Sequence, residues 1–349
     1  MNKIGILTFN RAINYGAVLQ AYALKKSIEK YAPCNIINYE TIYGKRDSCL
    51  SLKNLIKKII FRKKYKRFYD FINNNSTDRI YDNQTRASIL ENNFGKIIVG
   101  SDQVWNYTCS GEYPTFLLDF IENDSNIDCY SYAASFGVSS IPNEHFNCYN
   151  EHIKKFKNIS VREETGKNIL KEQFSIDSEV VLDPTLLLDK DEWIKNLNLK
   201  KTNKKYILTY FLDDDNDFKE IAKAVSKKTG LPIYNITTSI KSQFGDKTIR
   251  NAGPKEWVEY FYNAEFIVTS SFHGTAFAIN FNKQFYTYAK NNRSSRIVDL
   301  LNTVDLSERR IFKTDEIDLN KKIIYNDANI LINDKRICSF EFIKNILNN

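Results

Sequence analysis

Short apolar runs alternate with stretches of helical spacing along most of this chain, and the alternation restarts past a polar Lys/Asn segment near residue 204. Strands separated by helices demand a mostly parallel sheet covered on both faces, so this pattern selects an α/β fold. Lys3–Phe9 reads as a buried strand, and Ala17, Ala21, Leu24 and Ile28 then recur on one helical face. Further strands are expected at Asn35–Tyr39, Lys96–Val99, Cys129–Ala133, Ile159–Val161 and Val180–Leu182. Helices are expected at 85–93, 143–157, 164–173 and near Trp193. Leu52, Leu55, Ile56, Ile59 and Ile60 mark another, with a basic opposite face. The second series predicts strands at Lys205–Phe211, Pro232–Ile236, Glu265–Thr269 and Gln284–Ala289. Its helices fall at Asp217–Thr229, Pro254–Tyr262, after Gly274 and at Ser294–Asn302, with a terminal one at 334–347.

A chain of 349 residues is too long for one ordinary core. The expected division is 1–190, 203–310 and a helical extension over 311–349, with a ligand cleft at the facing carboxyl ends of the strands. The balance of 50 Lys+Arg against 42 Asp+Glu gives +8, which invites an acidic partner without naming one. No nucleic-acid motif accompanies that charge, so no nucleic-acid partner is expected. The basic segment 53–67 is a candidate for peripheral contact with an anionic membrane, although a solvated helix face is the commoner outcome. No run approaches the roughly 18 apolar residues of a membrane span. The six cysteines include no C-x-x-C pair, which suggests reduced thiols and a cytoplasmic location.

Chemistry-bearing residues gather at strand ends. Asn14, Tyr15 and Gly16 sit between the first strand and the first helix, where a glycine lets backbone N–H groups approach an anion, although spacing alone favours a tight turn; with Gln103 they are expected on the acceptor side of the cleft. Asp102 and Gln103 follow the strand ending at Val99; a carboxylate there suits a general base or a sugar-hydroxyl ligand, or equally a turn cap. Arg162 ends the 159–161 strand and offers a rigid fork for phosphate or carboxylate, or else a surface ion pair with Glu163 or Glu164. His273 lies between a buried strand and a helix N-terminus, with Ser271 and Gly274 leaving room for an anionic ligand. Arg293 and Arg296 begin the next helix and could join that anion site. His145, Cys148 and His152 share a helix side, but no further ligand for a metal is evident, so they are expected to border the core.

Five motifs carry a resemblance: N-Y-G-A-V-L-Q-A-Y-A-L at 14–24, V-G-S-D-Q-V-W-N at 99–106, V-R-E at 161–163, V-L-D-P-T-L-L-L at 181–188 and S-F-H-G-T-A-F at 271–277. Together they resemble the polysaccharide pyruvyl transferase family from about residue 3 to 310. The resemblance implies two Rossmann-like domains facing across a cleft, as in GT-B glycosyltransferases. It also implies transfer of pyruvate from phosphoenolpyruvate onto two hydroxyls of one sugar, as a ketal on a cell-surface glycan or its lipid-linked precursor. Under it, Arg162 grips the donor, His273 is a donor-site residue and general acid, and Asp102 lies on the acceptor side. Phosphoenolpyruvate is a co-substrate, and no metal or redox cofactor is needed. Family members tend to carry R-L-H where this chain has Ser271-Phe272-His273. Arg293 or Arg296 is expected to supply the missing charge. A nucleotide-sugar glycosyltransferase and a non-catalytic glycan-binding relative are the alternatives.

Overall fold

The computed structural model describes residues 3–42, 59–122, 125–240, 243–290 and 295–348. They form two α/β units. One is drawn from Met1–Asn54, Tyr69–Leu187 and Lys335–Asn349, the other from Leu55–Phe68 and Leu188–Asp334. This interleaved division differs from the expected consecutive segments. Two segments are the reason: Leu55–Phe68 belongs to the second unit, and the second half of the last helix belongs to the first instead of standing as an extension.

The first unit's sheet is wholly parallel, in the order β2-β1-β3-β4-β5-β6. Its strands are β1 (Lys3–Leu7), β2 (Cys34–Ile36), β3 (Phe94–Val99), β4 (Asp128–Ala134), β5 (Phe156–Val161) and β6 (Glu179–Val180). Leu7, Ile97, Val99 and Ile159 are buried on one face and Ile6, Ile98 and Tyr130 on the other, as suits strands covered on two sides. Between them run α1 (Tyr15–Ile28), α2 (Arg62–Asn73), whose residues up to Phe68 belong to the second unit, α3 (Asn143–His152) and α4 (Glu164–Phe174). The predicted helix at 85–93 is a 3₁₀ segment, Arg86–Asn92, closed by Asn93 in the left-handed region at φ 55°. With Ile89 its sole buried residue, it has no apolar stripe to hold a longer α-helix.

The second unit begins with α5 (Lys190–Leu197), fixed by a capping box between Asp189 and Glu192. Its parallel sheet runs β11-β10-β7-β8-β9. The strands are β7 (Ile207–Tyr210), β8 (Ile233–Ile236), β9 (Lys247–Ile249), β10 (Phe266–Thr269) and β11 (Gln284–Thr287). The helices are α6 (Asn216–Thr229), α7 (Pro254–Asn263), α8 (Phe272–Asn280), α9 (Ser295–Thr303) and α10 (Tyr325–Asn348). β9 was not expected, since K-T-I is short and has one buried side chain. Trp193, Trp257 and Phe277 meet in this core, with Phe277 5.0 Å from Trp193 and 5.2 Å from Trp257. Such aromatic contacts each contribute about 0.5–1.5 kcal/mol beyond area burial.

Leu52, Leu55 and Ile56 lie outside the described residues, as do Lys53, Lys57 and Lys58 of the basic segment. Its described part corrects the picture of a uniformly solvated basic face. Lys64 is 2% exposed with its ammonium 5.5 Å from the Phe68 ring, and Arg67 pairs with Glu256 at 3.2 Å. Lys63 and Lys66 are exposed.

Candidate active site

In the first unit the chain runs from β1 out to β2 and returns to pair β3 on the other side of β1. Ligands of open α/β sheets bind where the strand order reverses in this way. Three buried polar groups tie that point together. Thr8 Oγ1 donates to the Ser101 carbonyl at 2.8 Å, Gln20 Nε2 donates to Thr8 Oγ1 at 2.8 Å, and Ser101 N donates to Gln20 Oε1 at 3.1 Å. Gly100 precedes Ser101 at φ 115°, and a Cβ there would collide with the Tyr132 carbonyl, so only glycine fits. This carries Asp102 to the strand end at φ 72°. Its carbonyl accepts from Ser135 N at 2.9 Å, and its Oδ1 accepts from Gln103 N at 2.9 Å.

Arg162 approaches Asp102 from the end of β5. Its guanidinium is 2% exposed, 3.0 Å from Asp183, and 3.6 Å from each of Asp102 and Glu163. Burial acts to lower its pKa, but Asp183, Asp102 and Glu163 outweigh burial and hold it above the usual range. One cation among three carboxylates sums to a formal −2. This corrects both expectations for Arg162. It is no surface ion pair, and its surroundings repel an anion instead of offering one a free fork. It stands within ion-pair distance of the Asp102 carboxylate, which is 16% exposed.

Asp183, given no role from the sequence, anchors this arrangement. Its Oδ1 accepts from Thr185 N at 3.0 Å and Thr185 Oγ1 at 2.7 Å, leaving Oδ2 for Arg162. The signal was its place, an Asp before Pro at a strand end. Glu163 is also buried, with Oε1 accepting from Ser135 Oγ at 2.6 Å.

The residues of the first turn divide. Asn14 caps α1, its Oδ1 accepting from Gly16 N at 2.9 Å and Ala17 N at 3.3 Å. Tyr15 is 1% exposed and Gly16 is buried, so the expectation that they line a cleft is corrected: both are sealed within α1 packing. Gln103 Oε1 accepts from Cys109 Sγ at 3.2 Å, which holds the loop after β3. His145 and Cys148 border aromatic packing, with His145 Nδ1 3.0 Å from Tyr113 OH and its ring 4.5 Å from that of Tyr107.

The second sheet reverses between β7 and β10, and His273 follows β10. Ser270 N donates to the Tyr210 carbonyl at 3.2 Å and Leu212 N to Ser270 Oγ at 3.3 Å, joining the two strand ends. His273 stands in the first turn of α8, half-buried, its ring edge-on to Phe272 at 5.1 Å. Ser271 is the N-cap of α8, accepting from Gly274 N at 3.4 Å while 5% exposed. Gly274 is buried where a Cβ would strike Thr269 Oγ1. Both expectations of ligand contact are corrected here, because Ser271 is committed to capping and Gly274 to helix–strand packing. Arg296 does reach this turn, with its guanidinium 5.7 Å from the Phe272 ring. Arg293 lies outside the described residues.

The family model described as "Polysaccharide pyruvyl transferase" matches residues 14–292. No curated protein matches the chain. Among solved structures it resembles UDP-GlcNAc 2-epimerase from Neisseria meningitidis bound to UDP-GlcNAc, with TM-score 0.57, 10% identity and 100% of each chain covered. It also resembles UDP-GlcNAc 2-epimerase from Methanocaldococcus jannaschii in complex with UDP-GlcNAc and UDP, with TM-score 0.53, 16% identity and 99% of each chain covered. At such identities the likeness shows the fold alone, a GT-B-like α/β class with two parallel sheets.

Proposed function

The chain belongs to the polysaccharide pyruvyl transferase family, and from that premise we propose that it transfers pyruvate from phosphoenolpyruvate to two hydroxyls of a sugar. The acceptor is a cell-surface glycan or its lipid-linked precursor, met on the cytoplasmic side. The observation that carries this reading is Asp102, a partly exposed carboxylate at a topological switch point, held by an arginine that is itself fixed by Asp183.

In the reaction the donor's methylene carbon gains a proton, which makes the neighbouring carbon electrophilic toward a sugar hydroxyl. A second hydroxyl then closes the ketal as phosphate leaves with the electron pair of the broken C–O bond. Of the two hydroxyl protons, one balances the proton taken up by carbon and the other leaves with phosphate. Asp102 accepts a hydroxyl proton, and a positioned base or acid of this kind contributes roughly 10²–10⁴-fold. His273 is the acid. The start of α8 and Arg296 hold the donor's anionic groups, with helix dipole and guanidinium acting together. Arg296 thus stands in for the arginine that the family tends to carry at position 271.

Phosphate release from phosphoenolpyruvate, measured with and without a panel of lipid-linked and free glycans, tests the proposal. Acceptor-dependent release with a ketal in the product supports it. Glycosyl transfer from a nucleotide sugar, with no use of phosphoenolpyruvate, rejects it. No helix among the described residues is long and apolar enough to cross a membrane.

A further inference from the structure

A closed circuit of buried hydrogen bonds surrounds the turn that bears His273. Ser271, which launches α8, is held at both of its backbone groups by threonine hydroxyls. Its N–H donates to Thr269 Oγ1 at 3.2 Å, and its carbonyl accepts from Thr275 Oγ1 at 3.1 Å and from Thr275 N at 2.9 Å. Thr275 Oγ1 also lies 2.9 Å from Thr287 Oγ1 on β11, and Thr287 Oγ1 donates to the Thr269 carbonyl at 3.2 Å, which closes the circuit. Thr269 Oγ1 donates in turn to the Tyr210 carbonyl at 2.7 Å, so the circuit is anchored on β7, β10 and β11. Thr269, Thr275 and Thr287 are each 0% exposed.

Hydroxyls at three neighbouring core positions call for a reason, because valine has nearly the same shape and brings no polar group that must be satisfied. The first turn of a helix is also where its backbone bonds are fewest and where its end frays. His273 sits in that turn between Ser271 and Thr275, and both of these belong to the circuit. Thr275 is not required to satisfy its partners. Without its hydroxyl, the Ser271 carbonyl keeps Thr275 N and the Thr287 hydroxyl keeps the Thr269 carbonyl. Its removal orphans no buried group, so the fold should lose little. What it releases is the tie between the first turn of α8 and β11.

We infer that Thr275 is a positioning residue for His273, fixing its direction through Ser271 and Thr287; the inference rests on His273 being the acid of the proposed reaction. Thr275→Val and Thr275→Ser test it against the parent by kcat, donor affinity and the imidazole NMR signal of His273. That signal is assigned, among three histidines, by its loss in His273→Asn. For Thr275→Val the expected result is a kcat at least about tenfold lower and a shifted His273 signal, with donor affinity and melting temperature close to the parent's. Thr275→Ser keeps the hydroxyl and should recover most of the kcat. An unchanged kcat, or a loss that Thr275→Ser does not recover, overturns the inference. If the parent does not use phosphoenolpyruvate, the proposed function fails by itself and the NMR signal decides alone. A His273 signal that moves in Thr275→Val and returns in Thr275→Ser then upholds the positioning, and one that stays in place overturns it.

Discussion

Replacing Arg162 by Met would leave the carboxylates of Asp102, Glu163 and Asp183 sharing a site with no cation and little water. We expect a loss of about 3–5 kcal/mol in denaturant unfolding, the cost of breaking a buried charge network by removing one partner. Arg162→Lys should lose less, since it keeps the charge and gives up the fork. A variant that unfolds normally but binds donor poorly would return Arg162 to the gripping role. On the donor side, Arg296→Ala should weaken donor binding by roughly 2–5 kcal/mol if the pair is desolvated. His273→Asn should lower single-turnover rate with little change in donor affinity. Lys283 gives a pH test. Its ammonium is pushed down to about 8, first by burial and then by Lys201 and Lys190. In the unfolded chain it titrates near ~10.4. Between those values the unfolded state holds more protons, so this group's cost is full below about pH 8 and fades as pH rises. Lys283→Met should therefore be more stable than the parent at pH 7, and the two melting curves should converge toward pH 10. Single residues were also where the sequence was least legible. Asp102 and His273 do follow apolar strands, as their spacing suggested, whereas Tyr15 and Ser271 looked available and are buried. Adjacency in sequence does not tell a cap or a core ring from a ligand contact.

Helices and strands were more legible, because period and length are local. β1, α1 and β10 fall where the apolar spacing put them, while α8, expected after Gly274, begins at Phe272. The failures have local causes too. The segment at 85–93 lacked an apolar stripe, and β9 was too short to show one. The join between β10 and α8 yields a prediction at this scale. Gly274→Val would drive branched carbons into Thr269, whose Oγ1 donates to the Tyr210 carbonyl at 2.7 Å. Overpacking of this kind costs about 1–3 kcal/mol, and the melting temperature should fall accordingly. The basic segment yields another. Ile59 and Ile60 are 68% and 40% exposed near the exposed Lys63 and Lys66. If that face meets an anionic bilayer, sedimentation with anionic vesicles should weaken sharply as salt rises. It should also be lost in Lys63→Glu/Lys66→Glu. No sedimentation at low salt assigns the face to solvent.

Across the whole chain, the two parallel sheets were readable from the alternation, but their strand order was not. Order depends on which strand each crossover returns to, and only the finished sheets place Thr8 beside Ser101 or Ser270 beside Tyr210. Both groups of family residues stand at reversals of strand order, Asp102 beside β1 and β3, His273 beside β7 and β10. The interleaving of the units through α10 was equally hidden, since Leu182 N donates to Ser339 Oγ at 3.0 Å across a large sequence gap. The central claim is the identity of the donor, and thermal unfolding with added ligand addresses it most directly. A ligand that binds only the folded chain, at 100 times its dissociation constant, raises stability by about 2.7 kcal/mol. Phosphoenolpyruvate should produce that rise in the parent and in His273→Asn, and much less of it in Arg296→Ala. A rise with UDP-sugars and none with phosphoenolpyruvate would contradict the account.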